Sequence, residues 1–362
     1  MISRKSEFLK QFGIEHPIIL APLGGGPSTP ELVAAVSNAG GLGSLGAAYM
    51  TPAQIKEAIS GIRQLTHKPF NVNLFAGGWD HAGPLDAEPI LTLLKPVHEQ
   101  LGITPATLPP IPPDPFPQQL EAVLDARPAV FSFTFGIPSV EDMERLHRLG
   151  ILVLGTATTV EEGRMLERAG VDAVIAQGSE AGAHRGTFAA PFDAAMVPIR
   201  DLVSGLVRAV SLPVIAAGGL MDGRDIAEVL ARGATAAMLG TAFLACPESG
   251  ASQAYKQAIL AASRDTTVIT RAFSGRPARG LVNTFIEQLR GKEDLILPYP
   301  VQNALTRPMR TAAAQRGEPG FLSLYAGQGV ARARAMPAAQ LVRSLVEEMN
   351  STTRGRELHS TT

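Results

Sequence analysis

The sequence predicts an α/β protein, a (β/α)8 TIM barrel with an appended C-terminal helical domain. Three observations carry that reading: eight short apolar runs, helix start signals between most of them, and an excess of turn residues. The 362 residues include 36 glycines and 28 prolines, above ordinary usage of about 7 % and about 5 %. Hydrophobic residues still make up 45 %, so glycine and proline here punctuate buried elements and do not signal disorder.

The runs, in order, are PIILAP (17–22), LGSLGAA (42–48), FNVNLF (70–75), AVFSFTFG (129–136), ILVLGTA (151–157), AVIAQG (173–178), PVIAAGG (213–219) and AAMLGTAFLA (236–245). Unbroken apolar runs are what parallel strands covered on both faces require. Helices between them begin at the capping residues Thr29, Thr51, Ser139, Thr159 and Asp222, and several stop at a glycine. The competing architecture is a doubly wound open sheet. GGLGSLG (40–46) does contain G-x-G-x-x-G at Gly41, Gly43 and Gly46, but it leaves a helix and enters a strand, the reverse of a dinucleotide fingerprint.

Two segments depart from the repeat. Residues 76–128 form an insertion, and PATLPPIPPDPFP (105–117) within it has seven prolines in thirteen positions. A stiff extended crossover is expected there, serving either as a rim of the site or as a structural strap. The barrel is expected over residues 1–247, a mainly helical domain covering the site over 248–350, and a flexible tail over 351–362.

Composition excludes several functions. A formal net charge of −1 argues against a nucleic-acid partner. The single cysteine, Cys246, closes no intrachain disulfide and builds no thiolate cage; it reads as a small core residue in a cytoplasmic protein. No run approaches the ~18 apolar residues of a membrane span. The histidines are scattered, so no metal site is expected, and no G-x-S-x-G elbow occurs. The sequon at Asn350-Ser351-Thr352 has no secretory signal to give it meaning.

In such a barrel, reactive groups gather at the carboxyl ends of the strands, and phosphates at the loops after the last two. The seventh run ends in Gly218 and Gly219 before a capped helix, and the eighth contains Leu239-Gly240-Thr241. Bare backbone N–H groups and a hydroxyl thus stand where a phosphate would dock. Among the histidines, His16 and His67 precede strands, His98 and His147 lie in helical stretches, and His359 is in the tail. His184 leaves the sixth run in QGSEAGAHRG (177–186), framed by small residues that let a flat ligand approach the backbone. It is the candidate general base or substrate contact; His81, in GGWDHAG, is a weaker candidate.

APLGGGPSTPELVAAVSNAGGLGSLG, FNVNLF, QGSEAGAHRG, PVIAAGGLMDGRD, LGTAFLACPES, TRAFSGRPARGLVN and LYAGQG together resemble the nitronate monooxygenases, formerly 2-nitropropane dioxygenases. The resemblance runs from Pro17 to Gly329 and implies an FMN-dependent (β/α)8 flavoprotein, an oxidoreductase of detoxification. The expected reaction oxidises an alkyl nitronate, such as propionate 3-nitronate, with O2 to a carbonyl compound and nitrite. The resemblance further implies that Ala21, Pro22 and Leu23 line the flavin ring, that Asn73 and Gln177 hydrogen-bond it, and that His184 is the active-site histidine. Gly182, Gly218, Gly219, Leu239, Gly240 and Thr241 would hold the ring edge, ribityl chain and phosphate. His184 would either take a proton from the carbon bearing the nitro group or, protonated, hold a nitronate oxygen. The rival is the flavin-dependent enoyl-(acyl-carrier-protein) reductase, which uses NAD(P)H and shares the E-A-G-x-H-x-G core but carries Glu where this chain has Gln177. A third reading is a non-catalytic FMN-binding sensor. Ala183 departs from the family, where a second glycine is common, and is expected to narrow the pocket. The sequence leaves monomer or homodimer open.

Overall fold

The computed structural model describes residues 4–79, 85–111 and 113–360. Eight parallel strands, β1 (Ile18–Leu20), β2 (Gly43–Gly46), β3 (Phe70–Phe75), β4 (Val130–Thr134), β5 (Leu152–Ala157), β6 (Ala173–Gln177), β8 (Val214–Ala217) and β9 (Ala236–Leu239), realise the eight apolar runs. Their order is β1-β9-β8-β6-β5-β4-β3-β2, with Leu20 opposite Leu239 at one seam. The ring closes through Leu42, whose N–H donates to Ile18 O (3.0 Å) and whose carbonyl accepts from Leu20 N–H (2.9 Å).

The helices between them are α2 (Pro30–Asn38), α3 (Pro52–Leu65), α4 (Glu88–Gln100), α5 (Phe116–Ala126), α6 (Val140–Arg148), α7 (Val160–Arg168), α8 (Ile199–Ala209) and α9 (Gly223–Ala231). All five expected caps form: Thr29, Thr51, Ser139, Thr159 and Asp222 each accept a first-turn N–H, and Thr51 closes a capping box with Gln54. Before the first strand, α1 (Arg4–Phe12) stacks Phe8 on Phe12, centroids 4.2 Å apart, in one cluster with barrel-interior residues such as Ile19, Leu154 and Ile215. Gly43 explains the misplaced glycine motif. A Cβ there would run into the Val33 carbonyl of α2, so the glycine lets strand and helix touch.

Five expectations are corrected. The eighth strand ends at Leu239, and the rest of its run turns into α10 (Thr241–Leu244). The 76–128 insertion is not one extended crossover: α4 and α5 flank the proline-rich stretch, and Ile90, Leu94 and Val97 of α4 are buried at helical spacing. Beyond Cys246 the chain contains α11 (Gln253–Ala261), α12 (Thr284–Gln288), α13 (Val301–Arg316) and α14 (Ala338–Ser360), but also two strands, β10 (Thr267–Thr270) and β11 (Ala278–Leu281), which form an antiparallel sheet with β7 (Ala183–His184) from the loop after β6. Finally, α14 passes Asn350, where a frayed tail was expected. Ser351, Thr352 and Thr353 turn their hydroxyls back to the carbonyls of Glu347, Glu348 and Met349 at 2.8–3.0 Å, so polar side chains remain satisfied within the helix. The expected boundary at 247 is also crossed by packing: α4 shares a core with Phe273, Phe285 and Leu305, while α14 packs on α9 and α2.

Candidate active site

The carboxyl ends of the barrel strands open into a cavity of about 810 Å³, within the ~300–1,000 Å³ usual for ligand and cofactor sites. Ala21, Pro22, Leu23, Asn73, Gln177, Gly182, His184, Gly218, Gly219, Gly240 and Thr241 all line it. Leu239 does not. It is buried in β9, where its side chain joins the core outside the barrel and its carbonyl accepts from Ala21 N–H (2.8 Å). His81 lies outside the described residues.

His184 sits on the short strand β7, not on a free loop. β11 pairs with it, Ala278 opposite His184 and Arg279 opposite Ala183. Around it the polypeptide is fixed from several sides. Gln177 Nε2 donates to His184 O (3.0 Å) and its Oε1 accepts from Gly186 N–H (2.8 Å). The expected flavin contact is therefore also the brace of the histidine loop. Arg185 is fully buried and donates to the carbonyls of Gln177 and Ala195, both at 3.0 Å, and of Gly178; burial, and then Arg279, push its pKa down to about 10. Glu162 holds the far side of the loop, accepting from Thr158, Thr187, Phe188 and Ala189. Burial by itself would raise that carboxyl, but the donors outweigh it and leave it below the usual range.

Ala183 takes φ +61°, a left-handed backbone that costs a non-glycine residue about 1 kcal/mol. Alanine at this position thus carries a backbone cost as well as placing a methyl on the cavity wall.

The imidazole lines the cavity. Rings of Phe75, Phe135, Tyr299 and Tyr325 surround it, with centroids 5.4–6.3 Å away. His184 Nε2 lies 2.8 Å from Ser274 Oγ, and that hydroxyl in turn donates to Arg276 O (3.1 Å). With the serine proton given to the carbonyl, Ser274 accepts from Nε2–H and leaves the ring's lone pair on Nδ1. Burial, and then the charges of Arg276 and Arg310, push the imidazole pKa down to about 3. The ring is neutral at physiological pH.

Charge on the wall has one sign. Arg307 and Arg310 line the cavity, and no Asp, Glu or Lys is among the described lining residues. Arg310 Nη2 donates to Asn303 O and Oδ1, both 2.8 Å, while its buried Nε has no hydrogen-bond partner. The Tyr49 and Tyr299 hydroxyls are buried neighbours, yet neither forms a hydrogen bond of good geometry. Arg276 stacks 3.7 Å above the Phe135 ring and donates to Thr187 O (2.6 Å). Sequence reasoning missed Tyr49, Tyr299 and Arg310; Ser274 and Tyr325 lay within quoted segments, TRAFSGRPARG and LYAGQG, but carried no assigned role.

Across the cavity, Gly218 (φ +135°) and Gly219 (φ +70°) use backbone angles that L side chains rarely adopt. In α10, Phe243 N–H donates to Gly240 O (2.9 Å), and the N–H groups of Thr241 and Ala242 ahead of it have no intrahelical acceptor. Thr241 Oγ1 accepts from Gly327 N–H (2.9 Å). Cys246 is buried, which pushes its thiol up to about 12, as a core residue requires. Among the described residues, no group of three or more His, Cys, Asp or Glu gathers to hold a metal, and no helix is long and apolar enough to cross a membrane.

Residues 5–348 match the family model described as nitronate monooxygenase. A probable nitronate monooxygenase of Staphylococcus aureus (strain JH9) is 40 % identical over 347 residues, covering 96 % of this chain and 98 % of the relative. Among solved structures, the nitroalkane oxidase of Streptomyces ansochromogenes superposes with a TM-score of 0.87 at 43 % identity, covering 94 % of this chain and 98 % of that one. FabK of Thermotoga maritima gives 0.77 at 30 % identity, with 98 % of each chain covered. With the eight-stranded barrel, these matches establish that the chain belongs to the nitronate monooxygenase family of oxidoreductases.

Proposed function

We propose that this protein is a cytoplasmic, FMN-dependent enzyme that oxidises alkyl nitronates with O2, releasing a carbonyl compound and nitrite. The observation that carries the reading is the charge of the cavity: two arginines, a neutral histidine, two orphaned donors on Tyr49 and Arg310, and no carboxylate among the described lining residues. Such a wall suits an anion with several oxygens. It suits a neutral nitroalkane less well, because an imidazole with a pKa of about 3 is a poor base toward a carbon acid. His184 therefore serves better as a partner of the bound anion than as the group that creates it. An anion placed beside it would draw its pKa upward, so that the ring can take up a proton and hold a nitronate oxygen.

FMN fits the residues present. The cavity volume suffices, and the glycine turn at 218–219 and the start of α10 offer backbone N–H groups to a phosphate. Gly182, Gly218, Gly219, Gly240 and Thr241 would hold the cofactor's chain and phosphate, while Ala21, Pro22, Leu23, Asn73 and Gln177 would line its ring. When bound, the flavin supplies the electron-accepting and oxygen-reactive chemistry. The protein's residues supply the rest: Arg310 and Tyr49 orient the nitro oxygens or a carboxylate such as that of propionate 3-nitronate, Ser274 fixes the imidazole tautomer, and the aromatic rings exclude water. Oxygen uptake with propyl-2-nitronate and propionate 3-nitronate tests the reading. Wild-type protein should consume O2 and release nitrite, and His184→Asn should not; equal rates in both would refute the assigned site.

A further inference from the structure

The segment from Ala326 to Arg334 is tied to all three loops assigned above to the cofactor. Gly327 N–H donates to Thr241 Oγ1 (2.9 Å) after β9, and Gln328 N–H donates to Glu180 O (3.0 Å) after β6. Arg332 reaches the third loop, after β8. Its guanidinium contacts Gly219 O (3.3 Å) and pairs with Asp222 Oδ2 and Asp225 Oδ2, both at 2.8 Å. Those carboxylates shape the same turn: Asp222 caps α9 and Asp225 accepts from Met221 N–H (2.7 Å). Arg334 adds a bond to Met221 O (3.2 Å) and a pair with Glu348, which itself accepts from Gly223 N–H (2.8 Å).

The fit is close enough to depend on missing Cβ atoms. A Cβ on Gly327 would stand 2.8 Å from Glu180 O, and one on Gly182 would stand 2.6 Å from Gly327 N. A Cβ on Gly329 would collide with Gly219 O and lie 2.5 Å from Met221 Cγ. These neighbours are mostly backbone, which cannot swing aside. One strand of chain, remote in sequence, thus holds the 180–182, 219–222 and 241 loops in a fixed relation.

We propose that residues 326–334 form a latch over the cofactor's phosphate end, that Arg332 is the positioning residue that keeps it shut, and that its opening limits cofactor release. The proposal rests on the FMN reading of these loops. Arg332 is open to solvent, with 44 % of its side chain exposed, so its ion pairs are a part of the latch that salt can loosen.

The experiment follows flavin loss from the loaded enzyme by timed ultrafiltration after dilution, at low and high salt. Wild type should release FMN faster as salt rises. Arg332→Gln should release it roughly fivefold faster at low salt, the scale of one or two exposed ion pairs, and lose most of the salt response. Gly329→Ala should release it faster still. Should Gly329→Ala fail to fold, Arg332→Gln alone decides. Equal release rates and equal salt response in Arg332→Gln and wild type would overturn the latch. A general loss of stability without a change in the salt response of release would also overturn it, since that is what a merely structural role predicts. Wild-type protein that carries no flavin and takes up none would instead overturn the FMN reading on which the latch depends.

Discussion

His184 Nε2 stands 2.8 Å from the hydroxyl of Ser274, a residue ninety positions later in the chain. That contact fixes how the imidazole is presented to the cavity. Ser274→Ala removes the acceptor that Nε2–H finds among the described residues and frees the ring to change tautomer. A cost of about 1–3 kcal/mol would lower kcat between about fivefold and a hundredfold, with little change in fold. Steady-state oxygen uptake and a far-ultraviolet spectrum check both halves.

Arg310 should govern affinity for charged substrates. Arg310→Met removes a buried positive charge worth about 1.5–3 kcal/mol to an anion, raising KM for a nitronate by about tenfold or more. Measured uptake of a neutral nitroalkane should change far less, because no charge is recognised. A similar loss for both substrates would remove Arg310 from the role of anion contact.

The depressed His184 pKa makes a prediction about stability. The unfolded ring titrates near 6.5 and the folded ring near 3, so below pH 6.5 the unfolded chain binds the extra proton. The contribution is therefore full above pH 6.5 and declines as pH falls toward 3, by at most about 1.4 kcal/mol per pH unit. Urea midpoints at pH 7 and pH 5 should differ less in His184→Gln than in wild type.

Glu162 is fully buried and accepts from four residues of two loops. Glu162→Gln replaces one acceptor oxygen with a donor facing other donors, at a cost of about 3 kcal/mol. A lowered denaturation midpoint together with reduced activity is expected, since the stapled residues 187–189 include Thr187, whose carbonyl holds Arg276.

The barrel was legible because its signals are local. Each strand announces itself as an apolar run, and each cap lies directly before its helix. That Gly218, Gly219 and Gly240 stand at the strand ends was legible for the same reason. What sequence reasoning missed comes from contacts across long separations. The two residues of β7 form a strand only because β11, nearly a hundred positions later, pairs with them. Ser274, Tyr299 and Arg310 belong to no local pattern; they matter because the fold carries them over the strand ends. Leu239 was misplaced by one step of strand alternation, its neighbour Met238 lining the cavity instead. The tail was misread because serine and threonine look like loop residues until their hydroxyls bond back along a helix.

The central claim is most directly tested by the visible spectrum of the purified protein mixed with propionate 3-nitronate, first without oxygen and then in air. A flavin spectrum that bleaches anaerobically, returns on admitting air and is accompanied by nitrite is the predicted result. A colourless protein, or a flavin spectrum that the nitronate leaves unchanged without oxygen while NAD(P)H bleaches it, would contradict the account.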